Sequence, residues 1–343
     1  MHRTNTNMSL PTVPLYKPIY KFQHLDKVDW RYLSGNQSAI PILEQNLDKV
    51  NWWNLSGNPN AIHLLETNLD KVNWIQLSSN PNAISILQEN LDYVGWCTLS
   101  NNPNAIHLLE KNLDKVIWSI EKNLDKVFWS MLSKNPNAIP LLEKNLDKVN
   151  WHYFSGNPNA IPILEKNLDK VSWFVLSSNP NAIHLLEKNL DKVNWQILSN
   201  NPNAIPILEN NLNKVNWQML SENPNAIHLL EKNLNKVDWS MLSKNPNAIR
   251  ILEQNVDKII WYILSSNPNA IPILENNLDK VHWVWLSSNK NAHLIFSKLD
   301  YPAMKLNAKE FSKELVEHVF RPERLNQICE RHNLELGDLL EML

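Results

Sequence analysis

The sequence predicts an all-α fold: an α-solenoid of 22-residue helical-hairpin repeats with a helical C-terminal cap. Three observations carry this. Trp recurs at 30, 52, 74, 96 and 118, then at 129, 151, 173, 195, 217, 239, 261 and 283. Thirteen of the 15 Trp therefore keep a step of 22 residues, broken once by a step of 11. The text between them is one phrase, "LDKVNWQILSNNPNAIPILENN" from Leu190 to Asn211 being typical. Gly is scarce, with 5 residues in 343, which disfavours a turn-rich β-fold. A fixed period of this length marks an array of stacked units, each too small to bury its own apolar face.

Taken in order, residues 1–24 form a polar, Pro-containing tail and a short cap. A first arm of repeats covers 25–112, a half-repeat junction 113–123, and a second arm 124–298. Twelve full or nearly full repeats start at Leu25, Leu47, Leu69, Leu91, Leu124, Leu146, Leu168, Leu190, Leu212, Leu234, Val256 and Leu278; they are numbered 1 to 12 below. From residue 299 the phrase dissolves into "NAKEFSKELVEHVF", "RPERLNQICERHN" and "LELGDLLEML", amphipathic segments expected to cover the apolar face of the last repeat.

Within repeat 2, "LDKVNWWNLS" carries Leu47, Val50, Trp52 and Leu55 on a broad face, and Asp48 or Asn46 can cap its start. "GNPN" breaks that helix, and "AIHLLETN" puts Ala61, Ile62, Leu64 and Leu65 on one face of a second. The site of His63 is Pro at 140, 162, 206 and 272, which places it in the first helical turn and makes Asn60 the N-cap. Two antiparallel helices of about 8–10 residues follow, too short to stand alone. A leucine-rich repeat is the rival architecture, but its template fails at Trp53 and Asn60 and leaves the Trp column unexplained. Stacked at ~9–10 Å per repeat, the array is on the order of 110–130 Å long.

The step of 11 lies in "NLDKVIWSIEKNLDKVFW", Asn112 to Trp129, where one helix start joins one helix end. Losing half a hairpin predicts a kink or crossover near 113–128. The sites equivalent to Asn51 become Ile117 and Phe128, which fits extra burial there.

Fixed columns build such a fold, so function is sought in the variable ones. The residue after the column Trp varies freely and falls on an exposed face. Its large members are candidates for contact with a protein partner: Trp53, Ile75, Phe174, Tyr262 and Val284, with His152 added. A second variable column holds His63, His107, His184 and His228, but its members lie too far apart to share a metal, about 20 Å across two repeats against ~2 Å Zn–N bonds. The Asn columns fit capping and turns. A nucleic-acid solenoid would need a basic stripe, whereas here Lys is matched by acid and the formal charge is -2. RNA binding is thus the weakest reading.

No nucleophile elbow, P-loop, zinc-protease helix or paired Cys occurs, so no enzyme and no cofactor is expected. The distant Cys97 and Cys329 suggest a reducing compartment, and no run of about 18 apolar residues predicts a membrane span.

The phrase "LSxNPNAIxLLEKNLDKVNW" resembles short tandem repeats in proteins of giant DNA viruses of amoebae. The tail "ELVEHVFRPERLNQICE" is similar to a C-terminal segment of those proteins of the form "FHPxRL", with Arg321 where His is usual. The resemblance implies a viral origin and a place in host cytoplasm, virus factory or virion. It implies no activity and no site residue. The expected function is a non-enzymatic scaffold that binds a host or viral protein along one face, with a structural virion or factory component as the alternative.

Overall fold

The computed structural model describes residues 20–112 and 124–299, together with Leu325 and Cys329. The chain divides into two compact bodies. One is the repeat body, His24–Phe296; the other comprises Met1–Gln23 and Ser297–Leu343. In the second body, β1 (Tyr20–Phe22) pairs antiparallel with β2 (Ser297–Leu299), Lys21 opposite Lys298. The C-terminal helices expected after residue 299 lie outside the described residues, apart from Leu325 and Cys329, both helical and buried.

The repeat body is an α-solenoid, with 24 short α-helices at a spacing of about 11 residues among the described residues. The helices are mostly shorter than the periodicity implies, and the repeats other than repeat 5 have three pieces rather than two. In repeat 3, Leu69–Lys71 is a single 3-10 turn, Val72 is extended, and the first α-helix is Trp74–Ser79. Asn73 caps it, its side chain accepting the Gln76 N–H. Asn51 does the same in repeat 2, so the cap sits three to five residues later than expected, in place of Asp48 or Asn46. The broad apolar face of "LDKVNWWNLS" is therefore no helical face. Val50 and Leu55 are core, whereas Leu47 is exposed and Trp52 half-buried. The second helix of repeat 2 is Ile62–Glu66, with His63 in its first turn as expected.

The Asn of the "NPN" turn exchange roles relative to expectation. Asn58, not Asn60, is the local acceptor: its Oδ1 takes the Asn60 N–H at 3.0 Å. Its amide also donates to two carbonyls of the preceding repeat, Ser34 at 3.0 Å and Asn36 at 3.1 Å. Acceptor and both donor hydrogens are thus used in a fully buried site. Asp could not donate, and Gln would carry one methylene too many. Asn60 reaches back instead to the Gln37 carbonyl. Asn68 closes the second helix, donating to Leu64 O at 2.9 Å.

The Asn58 pattern repeats at Asn80, Asn102, Asn135, Asn157, Asn179, Asn201, Asn223, Asn245, Asn267 and Asn289. It does not stop at repeat 1. Asn36 donates to Ser287 O at 3.2 Å and Asn289 O at 2.7 Å, the same two carbonyls of repeat 12. The ladder therefore closes, and the repeat body is a ring of twelve repeats. An open array of 110–130 Å is corrected: that length becomes the circumference. The apolar face of repeat 12, expected to meet a cap, is covered by repeat 1. Leu33 and Ala39 in repeat 1 and Leu286 and Ala292 in repeat 12 are as inaccessible to solvent as Leu198 and Ala204 in the middle.

The expected break near 113–128 is also absent from the ladder. Residues 113–123 are outside the described residues, Ile117 and Trp118 among them. On either side Asn135 donates to Ser100 O at 3.0 Å and Asn102 O at 2.9 Å, the geometry of every other step. The extra 11 residues add no rung. The junction does show in the helix that follows it, Leu124–Lys134, which runs through without the extended residue. Phe128, at the capping site, is buried there as expected.

Candidate functional site

Two further ties rigidify the first helices. The Ser that follows the core Leu or Phe donates to the carbonyl of the column Trp, as Ser56 Oγ to Trp52 O at 2.7 Å, in every repeat but repeat 4. Its oxygen then accepts the N–H before the next Trp, as from Asn73 at 2.9 Å. Among the described residues this second bond is present at eleven of the twelve interfaces. Repeats without a side-chain cap still start their first helix at the column Trp where the bond is present, after Gly95, Ser172, Ile260 and His282. Among the described residues no such bond is present at the junction, where the Ser100 hydroxyl turns to Cys97 O and Phe128 is inside a helix. Across ten interfaces a Lys ammonium lies 4.5–5.2 Å over the preceding column Trp, as Lys192 over Trp173. Tyr93 stacks on Trp74 at 5.0 Å in the same place.

On this frame the residue after each Trp stands at the same point of successive stacked helices. Trp53, Ile75, Phe174, Tyr262 and Val284 are exposed, between 38% and 59%. His152 is exposed too, its Nδ1 3.2 Å from Ser172 Oγ. Closure arranges these residues in a way the linear order hides. Repeats 11, 12, 1, 2 and 3 are consecutive, and the helix Trp283–Ser288 packs on Trp30–Ser34. Tyr262, Val284, Trp53 and Ile75 thus belong to one arc, to which repeats 12 and 1 add the exposed Trp285 and Tyr32. Phe174 and His152 stand apart, in repeats 7 and 6. Repeats 8 to 10 present Gln196, Gln218 and Ser240 instead. Sequence reasoning missed Tyr32 and Trp285, which sit one place further along the helix; their bulk was the available signal.

At the centre of the arc Asp29 caps the helix Trp30–Ser34, accepting the Arg31 N–H at 3.0 Å, and holds the Arg31 guanidinium at 2.9 Å. That side-chain hydrogen bond lowers the Asp29 carboxyl below its ordinary range, against a smaller opposing effect of burial. The His column serves stacking: His63, His184 and His228 each meet a Glu of the preceding repeat at 2.6–2.8 Å. His107 stands where that place holds Gln88. Among the described residues there is no cluster of three or more His, Cys, Asp or Glu suited to a metal, and no helix long and apolar enough to cross a membrane. Compared with family models, curated proteins and solved structures, the chain matches none.

Proposed function

We propose that the ring is a binding scaffold for another protein, with its contact surface on the arc from Tyr262 through Val284, Trp285, Tyr32 and Trp53 to Ile75. One observation supports this above others. The surrounding columns are committed to ladders, caps and Lys–Trp contacts, whereas this column varies and its apolar members occupy four of five consecutive repeats, with Arg31 in the fifth beside the exposed Tyr32. Exposed aromatics in a contiguous patch suit a protein partner. Fixed neighbours hold the patch rigid, so little ordering entropy is lost on binding.

The test is affinity capture from infected or host cells with the full chain, followed by titration of the recovered protein. Trp53→Ala and Tyr262→Ala should each weaken a saturable interaction by tenfold or more. Gln196→Ala and Gln218→Ala should leave it unchanged. Equal effects from both pairs, or no saturable partner, would overturn the reading.

A further inference from the structure

We propose that the ring opens at the interface between repeats 12 and 1, its seam, while the other eleven interfaces stay stacked. The seam has the Asn36 rungs, the Asp29 N–H bond to Ser287 Oγ at 3.0 Å, and Lys27 over Trp283 at 4.5 Å. It lacks one tie that the other eleven interfaces have. There an Asn donates to a carbonyl of the preceding repeat, as Asn203 to Pro180 at 3.0 Å. Repeat 1 has Ser38 at that position, and the hydroxyl turns inward to Asn36 Oδ1 at 2.9 Å. A surface hollow bordered by Gly35, Gln37, Ser38, Ser288 and Lys290 marks the gap.

Covalent connection points the same way. Every other pair of neighbours is joined directly by the chain, so separation there strains the backbone or requires a repeat to unfold. Repeats 12 and 1 are neighbours only through the closure. Among the described residues the two are flanked by the three-residue strands β1 and β2 rather than joined by a direct link. Local openings of lower free energy than global unfolding are drawn from such weakly tied elements.

Hydrogen–deuterium exchange on the full chain tests this. Protection factors at the seam, in peptides covering 25–40 and 283–296, should be roughly tenfold lower than at the equivalent positions of repeats 8 and 9, the equivalent of one missing hydrogen bond. Ser38→Asn, which restores the repeat phrase, should raise seam protection towards the value elsewhere. Asn36→Ala should lower it further at the seam alone, with repeats 8 and 9 unchanged. Seam protection equal to that of repeats 8 and 9, or uniform loss of protection around the ring in Asn36→Ala, would overturn the proposal.

Discussion

The seam and the half-repeat junction are the two irregular interfaces of the ring, and they are irregular in opposite ways. The seam joins residues some 250 positions apart in sequence yet keeps the buried Asn rungs, the Ser–N–H bond and the Lys–Trp contact. Repeats 4 and 5 are consecutive in the chain, but their interface shows no Ser–N–H bond among the described residues and its helix runs on unbroken through Phe128. What both preserve is the pair of bonds from one buried Asn. That pair comes from a buried amide and reaches carbonyls that lie away from solvent, so it is costly to give up.

The comparison breaks most visibly at the Asn rungs. Asn135→Ala should destabilise the ring by roughly 2–4 kcal/mol, because the buried Ser100 carbonyl loses its donor, Asn102 O keeps only the Ala105 N–H, and the Asn137 N–H loses its acceptor. Asn36→Ala should cost less in global stability, since the seam can open and solvate its carbonyls. Urea denaturation of both variants decides it, and an equal fall in midpoint would remove the distinction. Lys192→Ala should cost about 0.5–1 kcal/mol, the scale of an exposed cation–π contact, with a shift in Trp emission as Trp173 loses its cover.

Acid should act on the seam before the junction. The folded Asp29 carboxyl sits below its ordinary range, so its contribution is complete above the unfolded value, about 4, and is lost as pH falls through the folded one. The Arg31 side chain of the pair is exposed to solvent, so the loss is small. Exchange at the seam should rise below pH 4 in the native chain and show no such step in Asp29→Asn. The smallest effect belongs to deletion of residues 113–123. Asn112 would then precede Leu124 as Asn46 precedes Leu47, the ladder needs no change, and unfolding should shift by less than about 1 kcal/mol. A collapse of stability would show that the extra residues hold the junction together.

Much of this was legible in the sequence. The period, the first-turn place of the His63 column, the structural use of the Asn and the exposure of Trp53 and its equivalents all follow from which residue types recur and which vary. The helix lengths were not legible. A wheel drawn through Leu47 to Ser56 shows apolar residues on one side whether or not Val50 is extended, and only the bonds at Asn51 and Ser34 show where the helix starts. The candidate surface was legible as a column but not as a patch, because Val284 and Trp53 are far apart in the chain.

The sequence by itself determined the repeat: an Asn that donates twice and accepts once, a Ser that both donates and accepts, and a Lys able to reach the preceding Trp. Each works between adjacent repeats, within the reach of one side chain, so residue identity suffices. Only the tertiary structure decided that twelve steps make a ring. Closure needs a full turn shared among the steps, about 30° each, and so small a rotation is set by packing around the whole circle rather than by any residue. That rotation brings Asn36 to Ser287 and Asn289, covers the apolar ends of the array with each other, and gathers the exposed aromatics of both chain ends into one arc.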